Sequence, residues 1–277
     1  MTDYAIGIDI GGSGIKAGAV DLRTGQLVGE RLRMATPMPS TPQAVVAATR
    51  RLVARIVRAV PEAADPATVP VGIGIPSVVV DGITKSAANI DPGWVDFTAT
   101  FEFSRALARN VVVVNDADAA GVAEMRFGAG VGQLGSVFML PLGTGLGSAL
   151  FSDGKLVPNT ELGHMEIRGR DAERRSASSA RVRRGLSWKA WAADLDEHLI
   201  AIARLYSPRL FILGGGVSKN PEKFVPFLTV TVPIVPAELR NDAGIVGAAM
   251  FAAERVDATQ AASLEPAGAE QARDPAT

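Results

Sequence analysis

Cysteine is absent from the 277 residues of this chain, and that absence excludes three classes of site. There can be no disulfide framework, no thiol nucleophile and no metal bound by thiolates. Histidine is also scarce, with two residues in the whole chain. We therefore expect no redox chemistry, and the lack of cysteine suits a protein of the reducing cytoplasm.

An excess of one charge and long apolar runs are lacking as well. The formal net charge is -1 at pH 7, so no overall attraction toward nucleic acid or an anionic membrane is expected. No apolar run reaches the roughly 18 residues of a membrane span, and the N-terminus carries no cationic segment followed by a long apolar one. These absences predict a soluble, cytoplasmic protein with no membrane and no nucleic-acid partner.

What the chain does have is a hydrophobic fraction of 47% and an internal repeat. Residues 4–10 read as a buried strand, followed by a glycine turn and a returning strand from Ile15. The same order begins again with a strand at 137–142. Each copy continues into a long helix, at 42–60 and at 188–206, and then into a further strand. The sequence therefore predicts an α/β protein built from two βββαβα units.

The repeat also indicates where domains begin and end. A chain of this length exceeds a typical single domain, and two domains flanking a cleft are expected. We predict a small N-terminal domain over residues 1–117, completed by a C-terminal helix at 243–256, and a larger domain over 118–242. The composition of residues 257–277 predicts a disordered tail.

Three glycine-rich turns follow apolar strands and are candidate sites for a phosphoryl donor. Glycine lets the backbone approach phosphate oxygens and aims successive N–H groups inward, although a single turn of this kind can be purely structural. The turns do not match the GxxxxGK[ST] phosphate loop, and a strand after the turn conflicts with a dinucleotide site. The candidates are Gly11, Gly12, Ser13, Gly14 and nearby Lys16 in the first turn, Gly143, Thr144 and Gly145 in the second, and Gly214, Gly215 and Gly216 in the third.

Acidic and polar residues stand at places where they could act on a bound substrate. Asp9 ends the first strand and could hold the hydration shell of a Mg²⁺ ion, or it could cap the turn. Asp116 follows an apolar strand at the edge where open α/β sheets place ligands, although an Asn-Asp pair can also be a simple turn. Glu161 and His164 could read adjacent sugar hydroxyls, or they could be a surface glutamate and a core histidine.

Seven arginines lie within residues 168–184, which contain only two acidic residues. Guanidinium groups pair with phosphate oxygens and do not lose their charge. Because the intervening residues 176–180 are small, the stretch is predicted to be a mobile loop beside the cleft. It could bind a long polyanion such as inorganic polyphosphate, or it could be a solvated charged loop. The arginines are Arg168, Arg170, Arg174, Arg175, Arg181, Arg183 and Arg184.

Four segments resemble the successive motifs of the ROK group (repressor, open reading frame, kinase) of actin-like sugar kinases. They are residues 8–16 (IDIGGSGIK), 115–117 (NDA), 142–147 (LGTGLG) and 161–164 (ELGH). The resemblance covers residues 4–256 and is greatest to members that use inorganic polyphosphate. It implies the actin-like ATPase (ribonuclease H-like) fold, with two domains flanking a cleft.

The resemblance also implies roles for individual residues. In the family, the residue matching Asp116 is the general base that activates the sugar hydroxyl. Many members bind structural zinc through a histidine and a cysteine cluster, and since this chain has no cysteine we expect no zinc site. The sugar-binding residues that the resemblance implies are Asn89, Asn115, Asp116, Glu161, His164 and Glu173.

The reaction implied is transfer of the terminal phosphoryl group of polyphosphate, and of ATP, to the 6-hydroxyl of glucose or a close hexose such as mannose. Mg²⁺ is the expected cofactor, and a monomer or homodimer is expected. Two alternatives stay open, an ATP-only hexokinase of the same family and a polyphosphate hydrolase in which water replaces the sugar. A sugar-responsive repressor is disfavoured, because the first strand begins at Tyr4 and leaves no N-terminal helix-turn-helix domain in this sequence.

Overall fold

The chain folds into two five-stranded sheets with helices packed on them. The computed structural model describes residues 3–88 and 90–264, the last eight of these by their backbone alone. The strands of the first half are β1 (Tyr4–Ile10), β2 (Ile15–Asp21), β3 (Gln26–Met34), β4 (Val71–Ile75), β5 (Val79–Val80), β6 (Ile83–Thr84) and β7 (Val111–Asn115). The strands of the second half are β8 (Ser136–Pro141), β9 (Ala149–Ser152), β10 (Lys155–Val157), β11 (Glu166–Ile167), β12 (Arg170–Asp171), β13 (Leu210–Gly214) and β14 (Ile234–Pro236). The α-helices are α1 (Pro42–Ala59), α2 (Ala99–Leu107), α3 (Asp116–Phe127), α4 (Glu173–Ser176), α5 (Ser178–Arg183), α6 (Trp188–Tyr206) and α7 (Ala243–Leu264).

The two large sheets have the same topology. Their strand orders are β3-β2-β1-β4-β7 and β10-β9-β8-β13-β14. In each sheet the first three strands form an antiparallel meander, and the other two join it in parallel. This confirms the predicted repeat, and the paired sheets are those of the actin-like ATPase fold.

The two long helices begin where the sequence predicts them and end within one residue of the predicted positions, and both carry strong N-terminal signals. The Thr41 hydroxyl accepts a hydrogen bond from the Ala44 N–H at the start of α1, and proline occupies the first helical position. The Ser187 hydroxyl accepts one from the Ala190 N–H at the start of α6. Helix α2 lacks such a signal, since the Thr98 side chain makes no capping hydrogen bond. That helix was not anticipated from the sequence.

The last helix, α7, packs on the first sheet through close backbone contacts. A Cβ atom at Gly7 or Gly72 would overlap the carbonyl oxygen of Ile245 or Ala248, respectively. Glycine at these strand positions therefore lets the helix lie directly on the sheet. The first sheet with α1, α2 and α7 is called the N-terminal lobe below, and the second sheet with α4, α5 and α6 the C-terminal lobe. We propose that the domain boundary falls at the start of α3, which contacts both α7 and the second sheet.

Helix α7 is longer than the sequence predicts. The sequence predicts an end at residue 256, but residues 257–264 continue the helix, since alanine, glutamine and leucine favour helix. The rest of the predicted tail, residues 265–277, lies outside the described residues. Neither α7 nor any other helix in the described part of the chain combines the length and apolar character needed to cross a bilayer.

The arginine-rich stretch is ordered, so the prediction of a mobile loop is wrong. Strands β11 and β12 pair as a small hairpin, and α4 and α5 follow directly. The side chains of Ala172, Ala177 and Ala180 are buried. In addition, Arg175 and Arg184 both form ion pairs with the Asp194 carboxylate on α6. The composition of residues 168–184 does not indicate this order, because the Asp194 carboxylate that pairs with the arginines lies outside the stretch.

Candidate active site

A cleft of about 610 Å³ lies between the two lobes. Glycine turns from both lobes and polar side chains that follow the central strands line it. The structure therefore brings together residues that are more than 200 positions apart in the sequence. The predicted site residues that line the cleft are Gly11, Gly12, Ser13, Asn115, Asp116, Gly143, Thr144, Gly145, Glu161, His164, Glu173 and Gly215.

The first glycine turn presents two backbone N–H groups to the cleft. Gly11 and Gly14 bond to each other through their N–H and carbonyl groups, at 3.0 and 3.4 Å. The N–H groups of Gly12 and Ser13 between them have no partner among the described residues. Successive unpaired N–H groups of this kind form an anion-binding concavity.

The second turn has the same property. The Gly143 N–H donates to the Gly145 carbonyl at 2.9 Å, while the N–H groups of Thr144 and Gly145 find no acceptor in the described part of the chain. In the third turn Gly215 has a φ of +80°, and a Cβ atom there would overlap the backbone of Leu142. Glycine is therefore required where the third turn meets the second.

Five predicted site residues near these turns lie outside the lining of the cleft. The Lys16 ammonium and the Asp9 carboxylate are 2.8 Å apart and form a half-buried ion pair at the end of β1. Asp9 is nevertheless close enough to the cleft for its charge to raise the pKa of Asp116. The five residues are Asp9, Gly14, Lys16, Gly214 and Gly216.

Asp116 is the first residue of α3 and lines the cleft with one oxygen free. Its Oδ1 accepts a hydrogen bond from the Ala117 N–H at 2.8 Å, whereas Oδ2 has no partner among the described residues. Burial, followed by the negative charges of Asp9 and Glu161, raises the pKa of Asp116 to about 7. A carboxyl group with this pKa is poised to exchange a proton near neutral pH.

Around Asp116 the cleft carries polar groups that suit a polyol. The Asn115 amide caps α3 through its oxygen, while its Nδ2 donates to the Ser77 carbonyl at 3.2 Å and approaches Glu161 Oε1 at 3.5 Å. The His164 ring lies 3.8 Å from Glu161 Oε2 and 3.3 Å from the Asp171 carboxylate. Burial raises the pKa of Glu161. The Glu161 carboxylate and the His164 imidazole both line the cleft and are partly exposed.

The two remaining sugar-binding candidates are Glu173 and Asn89, and the structure describes only the first of them. Glu173 lines the cleft, and its Oε2 accepts a hydrogen bond from the Leu146 N–H at 3.0 Å, so this carboxylate also holds the second glycine turn. Asn89 lies outside the described residues. Its predicted sugar contact stays a prediction.

Sequence reasoning missed three serines that line the cleft, Ser77, Ser86 and Ser148. The Ser148 hydroxyl donates to the Thr160 carbonyl at 2.6 Å and accepts from the Leu162 N–H at 3.0 Å, which ties the Glu161–His164 segment to the second turn. Ser77 lies two residues after the end of β4, at the same edge of the sheet where Asp116 follows the neighbouring strand β7. The rule that directed attention to Asp116 could therefore have found Ser77 as well.

None of the seven arginines lines the cleft. Arg168 and Arg175 form ion pairs with Glu197 at 2.7 and 2.9 Å. The Arg181 guanidinium lies 4.0 Å from the centre of the Trp188 ring. The segment nevertheless contacts the second glycine turn, because the Ser179 N–H donates to the Gly143 carbonyl at 3.0 Å.

The Asp9 carboxylate, beside the cleft, fits a metal ion carried by phosphates. In the part of the chain that the structure describes, no group of three or more His, Asp or Glu side chains could hold a metal ion. Mg²⁺ bound to phosphates keeps most of its waters and needs few carboxylates. The single half-buried Asp9 carboxylate fits an ion of that kind.

Comparisons with known proteins agree with this geometry. The model of the ROK family matches residues 5–178. The chain is 45% identical to the polyphosphate glucokinase of Mycobacterium tuberculosis (strain CDC 1551 / Oshkosh) over 248 residues, which cover 89% of this chain and 90% of that protein.

Two solved structures extend the similarity to the fold. The inorganic polyphosphate/ATP-glucomannokinase of Arthrobacter sp. strain KM superposes with a TM-score of 0.87 at 50% identity, covering 91% of this chain and 99% of that one. A ROK family glucokinase from Streptomyces griseus, solved in complex with glucose and AMPPNP, gives a TM-score of 0.76 at 27% identity over 91% of this chain and 99% of that one.

Proposed function

Because this chain belongs to the ROK family, we propose that it transfers the terminal phosphoryl group of inorganic polyphosphate, and of ATP, to the 6-hydroxyl of glucose or mannose. One observation carries the proposal. A single cleft combines unpartnered backbone N–H groups, which suit phosphates, with the free carboxylate oxygen of Asp116, which suits a hydroxyl proton. Relatives that are a polyphosphate glucokinase and a polyphosphate/ATP-glucomannokinase support both the donors and the sugars.

The proton of the hexose hydroxyl moves to Asp116. The Ala117 N–H holds Oδ1 of this carboxylate, so that Oδ2 faces the hydroxyl. As the sugar oxygen forms its bond to the terminal phosphorus, the bond from that phosphorus to the bridging oxygen breaks and the shortened donor keeps the electron pair. Such transfer depends mainly on positioning and charge stabilisation, with the carboxylate accepting the hydroxyl proton.

The hexose is oriented by the polar side chains around Asp116. Glu161 accepts hydrogen bonds from sugar hydroxyls, the Asn115 amide lies beside it, and the His164 ring adds a donor or an acceptor according to its tautomer. A matching hydroxyl is favoured over a hydrophobic group, because a hydrophobic group would leave these polar side chains without hydrogen-bond partners. Glu173 supplies a further acceptor beside the second turn.

The donor phosphates bind to the glycine turns. Free N–H groups of Gly12, Ser13, Thr144 and Gly145 are the groups that meet them. Mg²⁺, when bound with the donor, neutralises charge that develops on the phosphoryl oxygens. The Asp9 carboxylate would hold waters of its hydration shell.

The pH dependence should report the titration of Asp116. We expect kcat/KM to fall about tenfold for each pH unit below about 7, because the protonated carboxyl cannot accept the hydroxyl proton. A pH–rate profile of the purified protein measures this. An unchanged kcat/KM down to about pH 5 would show that no group with a raised pKa acts as the base.

Titration of Asp116 should affect stability in the opposite direction, so that stability falls as the pH rises while activity increases. Since the pKa of Asp116 is about 7 in the folded protein and near 4 when unfolded, the folded state binds more protons between these values. The contribution to the free energy of unfolding is therefore full below about pH 4 and is lost as the pH rises through about 7. Ionising Asp116 for catalysis near neutral pH therefore lowers the free energy of unfolding.

The arginine segment is proposed to bind the distal phosphates of polyphosphate. The structure divides six of its seven side chains into a paired and an unpaired set, and the seventh, Arg181, packs on the Trp188 ring. Arg168, Arg175 and Arg184 are paired with carboxylates on α6. Arg174 and Arg183 are exposed and adjacent, since Arg183 Nη2 donates to the Arg174 carbonyl at 3.0 Å, and neither side chain pairs with a carboxylate in the described residues. Arg170 is also exposed and pairs with no carboxylate in the described residues, so these two adjacent guanidinium groups and that of Arg170 are available to phosphates.

Neutralising that pair should discriminate between the donors. The double variant Arg174→Gln/Arg183→Gln is expected to raise the KM for polyphosphate about tenfold, since charge-assisted hydrogen bonds to phosphates are lost. The KM for ATP should change less than about twofold, because the ATP phosphates are proposed to bind at the glycine turns and not at this pair. The matched control is Arg50→Gln/Arg51→Gln, which removes two exposed charges from α1. Equal increases with both donors would contradict a polyphosphate role for this pair.

The activity is tested with purified protein, Mg²⁺ and each donor in a separate reaction. We expect hexose 6-phosphate with polyphosphate and with ATP. Activity with ATP alone would identify an ATP-only hexokinase. Phosphate release from polyphosphate that requires no sugar would instead favour the hydrolase.

A further inference from the structure

Asn159 joins the two walls of the cleft by hydrogen bonds from its side chain and backbone. The residue lies between β10 and the Glu161–His164 segment of the C-terminal lobe. Its Oδ1 accepts from the Val79 N–H at 2.9 Å, and its Nδ2 donates to the Val79 carbonyl at 2.8 Å. Its own N–H donates to Oδ2 of the buried Asp118 carboxylate at 2.8 Å. The two side-chain bonds to Val79 are called the Asn159 clasp.

The clasp links the segments that carry two groups of the cleft lining, although Val79 and Asn159 do not line the cleft themselves. Val79 follows Ser77 by two positions, and Asn159 precedes Glu161 by two. Ser77 and Glu161 both line the cleft. The Asn115 Nδ2 donates to the Ser77 carbonyl and approaches Glu161 Oε1. The clasp therefore ties together the two segments that carry these groups.

Asparagine is the side chain that satisfies the geometry at this position. The clasp needs one donor and one acceptor in the same plane, which an amide provides and a carboxylate does not. The backbone φ of +60° also lies in the left-handed region, where asparagine is tolerated better than most residues. Neither the proton transfer nor the donor site described above uses this residue.

We propose that Asn159 is a positioning residue that holds the Ser77 wall at a fixed distance from Glu161 and thereby sets the affinity for the hexose. The choice of hexose as the ligand rests on the proposed function. The clasp itself does not, because it joins protein groups alone. Without it, the two walls sample wider separations, and only a fraction of molecules presents the binding-competent arrangement.

The variant Asn159→Gly tests the proposal while keeping the left-handed backbone and the N–H that bonds to Asp118. We expect the KM and the Kd for glucose to rise about tenfold, the effect of losing the net contribution of two hydrogen bonds to the closed arrangement. The KM for the donor should stay within about twofold. Asn159→Asp, which loses the donor, should show the same selective increase.

The matched control is Asp153→Gly. Asp153 is also left-handed, with a φ of +48°, and its carboxylate accepts one hydrogen bond from the Gly135 N–H at 2.8 Å in a hairpin away from the cleft. This variant should lower thermal stability without a selective change in glucose KM. Equal increases in the hexose and donor KM values of Asn159→Gly, or unchanged values, would overturn the positioning role.

A second measurement does not depend on the reaction. Hydrogen exchange of the Val79 amide, followed without sugar or donor, should be faster in Asn159→Gly than in the parent and unchanged in Asp153→Gly. If the parent protein has no kinase activity, this result still supports the clasp and only the proposed function fails. If the Val79 amide exchanges equally in both proteins, the clasp does not hold the walls together and the inference is wrong.

Discussion

Asp116→Asn is expected to lower kcat by about 10²- to 10⁴-fold with either donor, the contribution typical of a positioned general base. The amide keeps the shape of the side chain and can still accept the Ala117 N–H at one oxygen, but it cannot take the hydroxyl proton. The Kd for glucose should change little. Since ionising this carboxyl in the folded protein is unfavourable, the variant should be at least as stable as the parent at neutral pH.

Asp118 provides a matched control for that experiment. It lies two residues further along α3, its pKa is also raised to about 7 by burial, and it does not line the cleft. Asp118→Asn should retain most of the turnover and keep the decline in kcat/KM below about pH 7. Near-normal turnover in Asp116→Asn with a large loss in Asp118→Asn would mean that the wrong carboxylate has been assigned as the base.

Gly72→Ala is expected to lower the free energy of unfolding by about 3 kcal/mol or more, the upper end of the usual cost of overpacking. The new methyl group would overlap the Ala248 carbonyl, so α7 would have to move off β4. Backbone groups cannot rotate away as a side chain can. Urea denaturation of the purified variants measures the change.

Gly74→Ala is the matched control, because it adds the same methyl group two residues further along the same strand. There the nearest atom is the Ala119 Cβ at 3.5 Å, an ordinary contact. We expect a change of less than about 1 kcal/mol, since the loss of glycine flexibility in the unfolded chain offsets any crowding. Equal destabilisation of the two variants would contradict the close docking of α7 on the first sheet. An insoluble Gly72→Ala beside a soluble Gly74→Ala would support it.

Local signals were sufficient for much of the fold. The capped helices α1 and α6, the repeated meanders and the glycine turns follow from features within a few residues of each element. The same holds for Asp116, which its strand carries to the edge of the sheet. Helix α3 shows the limit of this approach, because the Asn115 amide that caps it can equally be read as part of a turn.

The parts that could not be predicted depend on partners far away in the chain. The pairing of Asn159 with Val79 joins residues 80 positions apart, and no local pattern marks either of them. The arginine segment is held by Asp194 on the following helix, so its composition indicated a loop where the structure has helices. Tertiary contacts thus decided the order of this segment against its local composition.

The most direct test of the proposed reaction is the rate of glucose 6-phosphate formation from size-defined, nucleotide-free polyphosphate in the presence of Mg²⁺. We expect the parent protein to form glucose 6-phosphate, with one phosphoanhydride bond consumed per sugar, and Asp116→Asn to form it at a rate lower by about 10² or more. Polyphosphate consumption without sugar phosphate, or equal rates in the two proteins, would contradict hexose phosphorylation with Asp116 as its base.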